Sequence, residues 1–352
     1  MIILTAAQDA ISDLSRFDAI VDARSPAEYA EDRVPGAVNW PSLDDDERAL
    51  VGTEYKQVSP FAARKRGAAL VARNVAAHVE RHVANKPPGW TPLVYCWRGG
   101  KRSGALATVL DQIGFRVHVL EGGYQAFRRA IVVELEMLPA RFAWRVVCGP
   151  TGSGKSRLLA EIARQGGQVL DLEAIANHRG SVLGLVPGSS QPKQKAFDTA
   201  LWLALRALDP ARPVFVESES KKIGELHVRD ALVQRMRASP CVWLELPIDA
   251  RVALLIDEYA FFVADVDVFC DRLDALRTLR GNAVVDFWQQ AARSGEIPTV
   301  VRDLLDIHYD PIYLASLWRN FGGVATPLAT LRWSGDAASL ALAAQQAIAA
   351  PA

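Results

Sequence analysis

Two stretches of this sequence hold residue types at spacings that chemistry needs. In Tyr95-Cys96-Trp97-Arg98-Gly99-Gly100-Lys101-Arg102-Ser103 one thiol enters a glycine-bent loop carrying three cationic side chains. The apolar run 92–95 before it has strand character and 103–110 after it has helical spacing, so Cys96 stands at a strand-to-helix turn. There the amides of the loop, with Gly99, Gly100, Lys101 and Ser103 forming the cradle, can converge on an anion while Arg98, Lys101 and Arg102 add positive charge. Such a field favours thiolate over thiol and predicts a nucleophilic Cys96 near neutral pH. The bland alternative is an inert, buried strand-end cysteine, which glycines and arginines do not ordinarily ring.

The second stretch, Gly149-Pro150-Thr151-Gly152-Ser153-Gly154-Lys155-Ser156, fits GxxxxGK[ST] between a strand pattern at 144–148 and a helix pattern at 157–162. Gly149, Gly152, Ser153 and Gly154 let backbone amides turn inward around phosphate oxygens, and Lys155 supplies a point charge. The Ser156 hydroxyl is placed to ligate Mg²⁺ when a metal–nucleotide binds. The strand pattern 168–173 ends in Asp171 and Glu173, which should face the phosphate loop across the carboxyl edge of a sheet. His178 and Arg179, in Ala176-Asn177-His178-Arg179-Gly180-Ser181, could contact an anion; a capped loop with solvated side chains is the equal alternative. A further strand, 213–217, runs into Glu217-Ser218-Glu219, with Glu217 where a phosphate-loop protein often keeps the acidic residue of its metal shell. No resident metal follows: His78 and His82 share a helical face without a carboxylate or thiol at ligand spacing and read as solvated.

Positioning both motifs takes alternating short strands and helices, hence parallel α/β sheets, and 352 residues suffice for two domains. The reading is a parallel α/β domain at 1–138 and a P-loop NTPase-like α/β domain at 139–352, whose section 250–318 is helical and rich in large apolar residues. Lys plus Arg equals Asp plus Glu at 40 each, so binding of nucleic acid would need local patches such as Arg64-Lys65-Arg66, Arg128-Arg129 or Lys221-Lys222. Cys96, Cys148, Cys241 and Cys270 form no CxxC pair, which suits a reducing cytoplasm. No run approaches the ~18 apolar residues of a membrane span, so the expectation is a soluble cytoplasmic protein without membrane partners.

Four segments in order, Val21-Asp22-Ala23-Arg24-Ser25-Pro26-x-Glu28-Tyr29, Pro35-Gly36-Ala37, the Cys96 loop and Leu120-Glu121-Gly122-Gly123, resemble the rhodanese domain, a sulfur-transfer module. Asp32-Arg33-Val34 stands where that family usually has a histidine, and the loop is one residue longer than the common CxxGxRS. The longer loop leaves room for a bulkier anion or a larger chalcogen. It also gives Cys96 to Arg102 the CxxxxxR spacing of cysteine phosphatases, a competitor that needs a carboxylic general acid. The nearest following aspartate, Asp111, reads as helical.

With the phosphate loop, 45–57, Asp171-Leu172-Glu173, Glu217-Ser218-Glu219-Ser220 and His308-Tyr309-Asp310-Pro311 added, nearly the whole chain resembles the tRNA 2-selenouridine synthase family. The resemblance implies an enzyme that replaces sulfur by selenium at the wobble 2-thiouridine of tRNA. Geranyl diphosphate first alkylates the thiocarbonyl sulfur, and selenium from selenophosphate then displaces it. It further implies tRNA and these two anions as partners and no firm cofactor; on the chemistry of the loop itself, Cys96, held by the loop amides with Arg98 and Arg102, is expected to accept selenium as a selanylsulfide. The phosphate loop would hold the geranyl donor's diphosphate, with tRNA phosphate or ATP as alternatives, and section 250–318 would house the isoprenoid tail. The rivals are a cysteine phosphatase and a rhodanese sulfurtransferase or thiol sensor coupled to a phosphate-loop nucleotide switch. Oligomeric state, the tRNAs used and any ATP hydrolysis are left open.

Overall fold

The computed structural model describes residues 1–179 and 190–351. Gly180 and Ser181 of the polar loop named above lie outside them. The chain divides into two compact units, Met1–Leu135 with Pro192–Leu203, and Glu136–Gln191 with Ala204–Ala352. The stretch 192–203, which the sequence reading groups with the phosphate loop, therefore packs in the first unit.

The first unit is built on five parallel strands, β1 (Ile2–Thr5), β2 (Ala19–Asp22), β3 (Ala37–Asn39), β4 (Pro92–Tyr95) and β5 (Val117–Leu120), in the order β1-β5-β4-β2-β3. All four residues of the central β4 are buried, as befits a strand covered on both faces, and its carboxyl end opens directly into Cys96. Helix Lys101–Ile113 follows; it buries Ser103, Leu106, Ala107 and Leu110, one face at helical spacing, and stops at Gly114 with φ 111°. Leu106 and Leu110 join Val94, Val119 and Phe115 in the core of this unit. The acidic insert forms helix Asp45–Gln57, capped reciprocally by Asp44 and Glu47, and then helix Pro60–His82.

Two surface assignments change. His78 is half-buried, its Nε2 3.0 Å from the Pro41 carbonyl, whereas His82 is exposed as expected and stacks on Trp40 at 4.9 Å. Arg128 is not free for a nucleic-acid backbone. It pairs with Asp198 at 2.7 Å and also donates to Thr199 Oγ1 and the Lys195 carbonyl. Asp198 and Thr199 lie on helix Gln194–Arg206, whose buried Trp202 meets Phe127 edge-on and donates to Glu134 at 2.7 Å.

In the second unit β6 (Trp144–Cys148), β7 (Gln168–Leu170), β8 (Val214–Glu217), β11 (Cys241–Glu245) and β12 (Ala329–Arg332) form a parallel sheet ordered β12-β11-β6-β8-β7. A small antiparallel hairpin, β9 (Lys222–Ile223) and β10 (Leu226–His227), follows β8 in sequence. β6 is central, so the phosphate loop leaves the middle of the sheet. The next helix, Lys155–Arg164, packs Leu158, Leu159 and Ile162 with Ala343, Ala344 and Ala347 of helix Ala337–Ala349. β7 stops at Leu170, earlier than 173, because Asp171 caps helix Leu172–Ala176 by accepting from Ala174 N at 2.8 Å. The helices of 250–318 form their own core around Phe269, Leu273, Val285, Trp288 and Val300. Among the described residues no helix is long and apolar enough to cross a membrane.

Candidate active sites

At the thiol site Cys96 is 3% exposed, yet its surroundings are polar. Its Sγ accepts from the Ser103 hydroxyl at 3.2 Å and from the Gly100 amide at 3.3 Å. Burial opposes ionisation; the Ser103 hydroxyl and the amides of Ser103, Arg98 and Gly100 outweigh it and bring the thiol below its ordinary pKa. The direction is the one expected from the sequence, but its cause is hydrogen bonding and not the cationic ring read there. Arg98 and Lys101 have exposed side chains, where solvent screens them, and Arg102 is paired with Glu28 at 2.7 Å. Glu28 also accepts from Ser25 N, and Arg102 outweighs its burial to hold it below the usual carboxylate range.

The loop's shape comes from its seam with the turn after β5. Tyr124 N donates to the Cys96 carbonyl at 2.8 Å and Gln125 N to the Trp97 carbonyl at 3.1 Å. Gly123 is obligatory there: its φ is 58°, and a Cβ would fall 2.3 Å from the Cys96 oxygen. Arg24, 1% exposed, is bonded to Asp22 and lies 3.9 Å from the Tyr124 ring centre. Tyr95 donates to Asp22 at 2.8 Å, and Tyr124 to Asp32 at 2.6 Å. The motif residues Asp22, Arg24 and Tyr124 are thus a buried polar frame that fixes the loop.

At the phosphate site Gly152 and Gly154 have φ of 71° and 83°, and a Cβ on Gly154 would meet the Trp333 ring at 2.0 Å. Gly149 is held against the Leu244 carbonyl, and Ser153 is fully buried with its hydroxyl unpartnered among the described residues. Lys155 Nζ lies 3.4 Å from the Pro150 carbonyl and 5.0 Å from the Tyr313 ring centre. Burial disfavours its charge, but Tyr313, Glu217, Glu173 and Glu219 hold its pKa above the ordinary lysine value. Ser156 Oγ is 3.1 Å from Glu173 and 3.3 Å from Glu217, and with Glu219 these carboxylates can present oxygens within 4.8 Å of one another. Burial and mutual repulsion push the pKa values of Glu173 and Glu219 up.

Of the remaining sequence candidates, Asp171 is the helix cap described above. His178, buried with Nδ1 unpartnered among the described residues, has its pKa lowered by burial. Arg179 donates to the Glu258 carbonyl and lies over the Tyr259 ring. His308 accepts from Arg280 at 3.0 Å, a satisfied buried histidine. Sequence reasoning missed Arg251, 6% exposed, which donates to the Thr151 carbonyl of the phosphate loop; no motif spacing marks it. It also missed a cavity of about 650 Å³ lined by Pro150, Trp243, Leu246, Pro247 and Trp333 beside that loop, with Glu245, Arg332 and Ser334 also lining it.

Comparison with known proteins agrees with both halves. A rhodanese-like domain model matches residues 6–130, and the model of the tRNA 2-selenouridine synthase AAA domain matches residues 142–272. A tRNA 2-selenouridine synthase of Cupriavidus necator is 36% identical over 84% of this chain and 87% of its own length. That of Nitrosomonas europaea is 36% identical over 68% of this chain and 63% of its own length. A rhodanese-related structure from Thermoplasma volcanium is 17% identical over 36% of this chain and 89% of that one, at a TM-score of 0.24. With a relative matched along most of both chains and a domain model matched in each half, the chain belongs to the tRNA 2-selenouridine synthase family.

Proposed function

We propose that this protein exchanges sulfur for selenium at the wobble 2-thiouridine of tRNA, by alkylation with geranyl diphosphate and then selenation from selenophosphate. The observation that carries the reading is the Cys96 cradle, where one hydroxyl and several amides face a sulfur whose ionisation they favour. Selenophosphate already holds selenium at the selenide level. A Cys96 selanylsulfide therefore forms only when water takes the phosphoryl group from selenium as phosphate and an external disulfide accepts two electrons and becomes two thiols; a thiol returns the two electrons when selenide is released, and that selenide displaces the geranylthiolate, which leaves with the electron pair of its C–S bond. In the alkylation the thiocarbonyl sulfur attacks the first carbon of the geranyl group, and diphosphate leaves with the electron pair of the broken C–O bond. Lys155 and the loop amides are suited to that growing charge.

The cavity beside Pro150 and Trp333 supports a site for the isoprenoid tail next to the phosphate loop, in place of the 250–318 helices. Trp333 Nε1 is bonded to the Asp336 carbonyl and Ser334 to Asp336, while the charged lining residues Arg332 and Glu245 pair with each other. Such walls suit hydrocarbon better than a base that must be read by hydrogen bonds. Ser156, Glu173 and Glu217 offer hard oxygen donors that fit Mg²⁺, which would neutralise diphosphate charge when bound. A phosphatase is less well supported, because Glu28, the carboxylate joined to the loop's Arg102, is shifted below the usual carboxylate range, opposite to the raised pKa that suits a general acid.

The test is mass spectrometry of wobble nucleosides after incubation with thiolated tRNA, geranyl diphosphate, selenophosphate and a dithiol together with its disulfide. Cys96→Ser should accumulate S-geranyl nucleoside without selenium, and Lys155→Ala should reduce geranylation itself. Undiminished selenation by Cys96→Ser would sink the reading.

A further inference from the structure

Arg251 lies on helix Ile248–Glu258 and is 6% exposed. Its Nε and Nη2 both donate to the Thr151 carbonyl, at 2.9 and 2.6 Å, and Nη2 also donates to Asp310 Oδ1 at 2.7 Å. Thr151 stands at the crown of the phosphate loop, between Pro150 and Gly152. A loop that binds an anion through inward amides must keep its carbonyls turned away, since each inward carbonyl would repel the ligand. A carbonyl turned away from the ligand still needs a donor, and a guanidinium fork gives it a charge-assisted pair.

Asp310 begins helix Asp310–Asn320, which the chain enters through the π-turn Leu304–Tyr309. The same helix brings Tyr313 beneath Lys155, with its hydroxyl 2.8 Å from Ser218 Oγ. One helix thus reaches the loop at its crown through Arg251 and at its lysine through Tyr313.

We infer that Arg251, oriented by Asp310, is a positioning residue of the phosphate loop: this strap holds the Thr151 carbonyl outward and presets the amides for a diphosphate group. The inference rests on the reading of 149–156 as an anion site. It makes a prediction opposite in sign to simple electrostatics. Removing the negative Asp310 near an anion site would tighten binding if charge alone mattered, whereas loss of the strap weakens it.

The experiment is calorimetric titration of the full chain with inorganic diphosphate, with a thermal melt of each variant. Asp310→Ala should bind about tenfold more weakly, the scale of one charge-assisted hydrogen bond. Arg251→Ala should lose at least as much, and the double variant no more than Arg251→Ala alone. Arg251→Lys keeps the charge without the fork and should bind as weakly as Arg251→Ala, which covers the case in which the alanine variant does not fold. Tighter or unchanged binding by Asp310→Ala, wild-type affinity in Arg251→Lys, or losses that multiply in the double variant each overturn the strap, provided Lys155→Ala weakens binding. If Lys155→Ala binds diphosphate as wild type does, the anion site itself is refuted.

Discussion

Replacing Ser103 by alanine separates two explanations of the reactive sulfur. The substitution deletes a 3.2 Å hydrogen bond to Cys96 Sγ and leaves the Gly100 amide at 3.3 Å in place. A hydrogen bond to a charged group is worth about 1.5–3 kcal/mol, and sulfur is a diffuse acceptor, so the lower end applies. At about 1.4 kcal/mol per factor of ten, the thiolate population below the thiol's pKa should fall about tenfold. Because the native environment lowers the Cys96 pKa, the variant's reactivity profile moves to higher pH. At high pH, where both proteins are ionised, the rates converge.

The assay is the rate of alkylation by iodoacetamide against pH, read at the Cys96 peptide. Cys148, Cys241 and Cys270 are at most 1% exposed and contribute little background. The double variant Glu28→Gln with Arg102→Gln is the control, since it removes both members of the ion pair and leaves neither charge uncovered. An equal fall at every pH after Ser103→Ala, or a larger shift from the Glu28→Gln/Arg102→Gln double variant than from Ser103→Ala, would refute the hydrogen-bond account.

Gly123→Ala should slow alkylation of Cys96 and lower the melting temperature together, because a left-handed conformation costs a non-glycine residue about 1–2 kcal/mol and the new Cβ displaces the Cys96 carbonyl. A variant with native melting and native alkylation contradicts that geometry. Glu219 has its pKa raised by burial and by Glu217, so the folded state keeps a proton that the unfolded chain has lost. Stability therefore falls as pH climbs from the ordinary carboxylate range toward the raised value. Glu219→Gln should flatten the decline in melting temperature between about pH 5 and about pH 9; an unchanged slope would show that the carboxylates do not interact.

Both candidate loops were legible in the sequence because each is a local device: a strand, a few glycines, and a helix that starts at the loop. Those features lie within ten residues of one another, and residue type alone reveals them. The strands β1 and β12 were not legible, since Ile2–Thr5 and Ala329–Arg332 are short edge strands with mixed burial and acquire their state only by pairing with β5 and β11. Nor was the cause of the Cys96 shift. Three basic residues suggested a cationic field, and only the fold brought Glu28 from 74 positions away in sequence to neutralise Arg102. Arg251 reaches Thr151 across 100 positions and Asp310 across 59. Local spacing determined which groups can react; long-range packing decided which charges are left to act on them, because a charge's effect depends on the partner and the burial that the whole chain supplies.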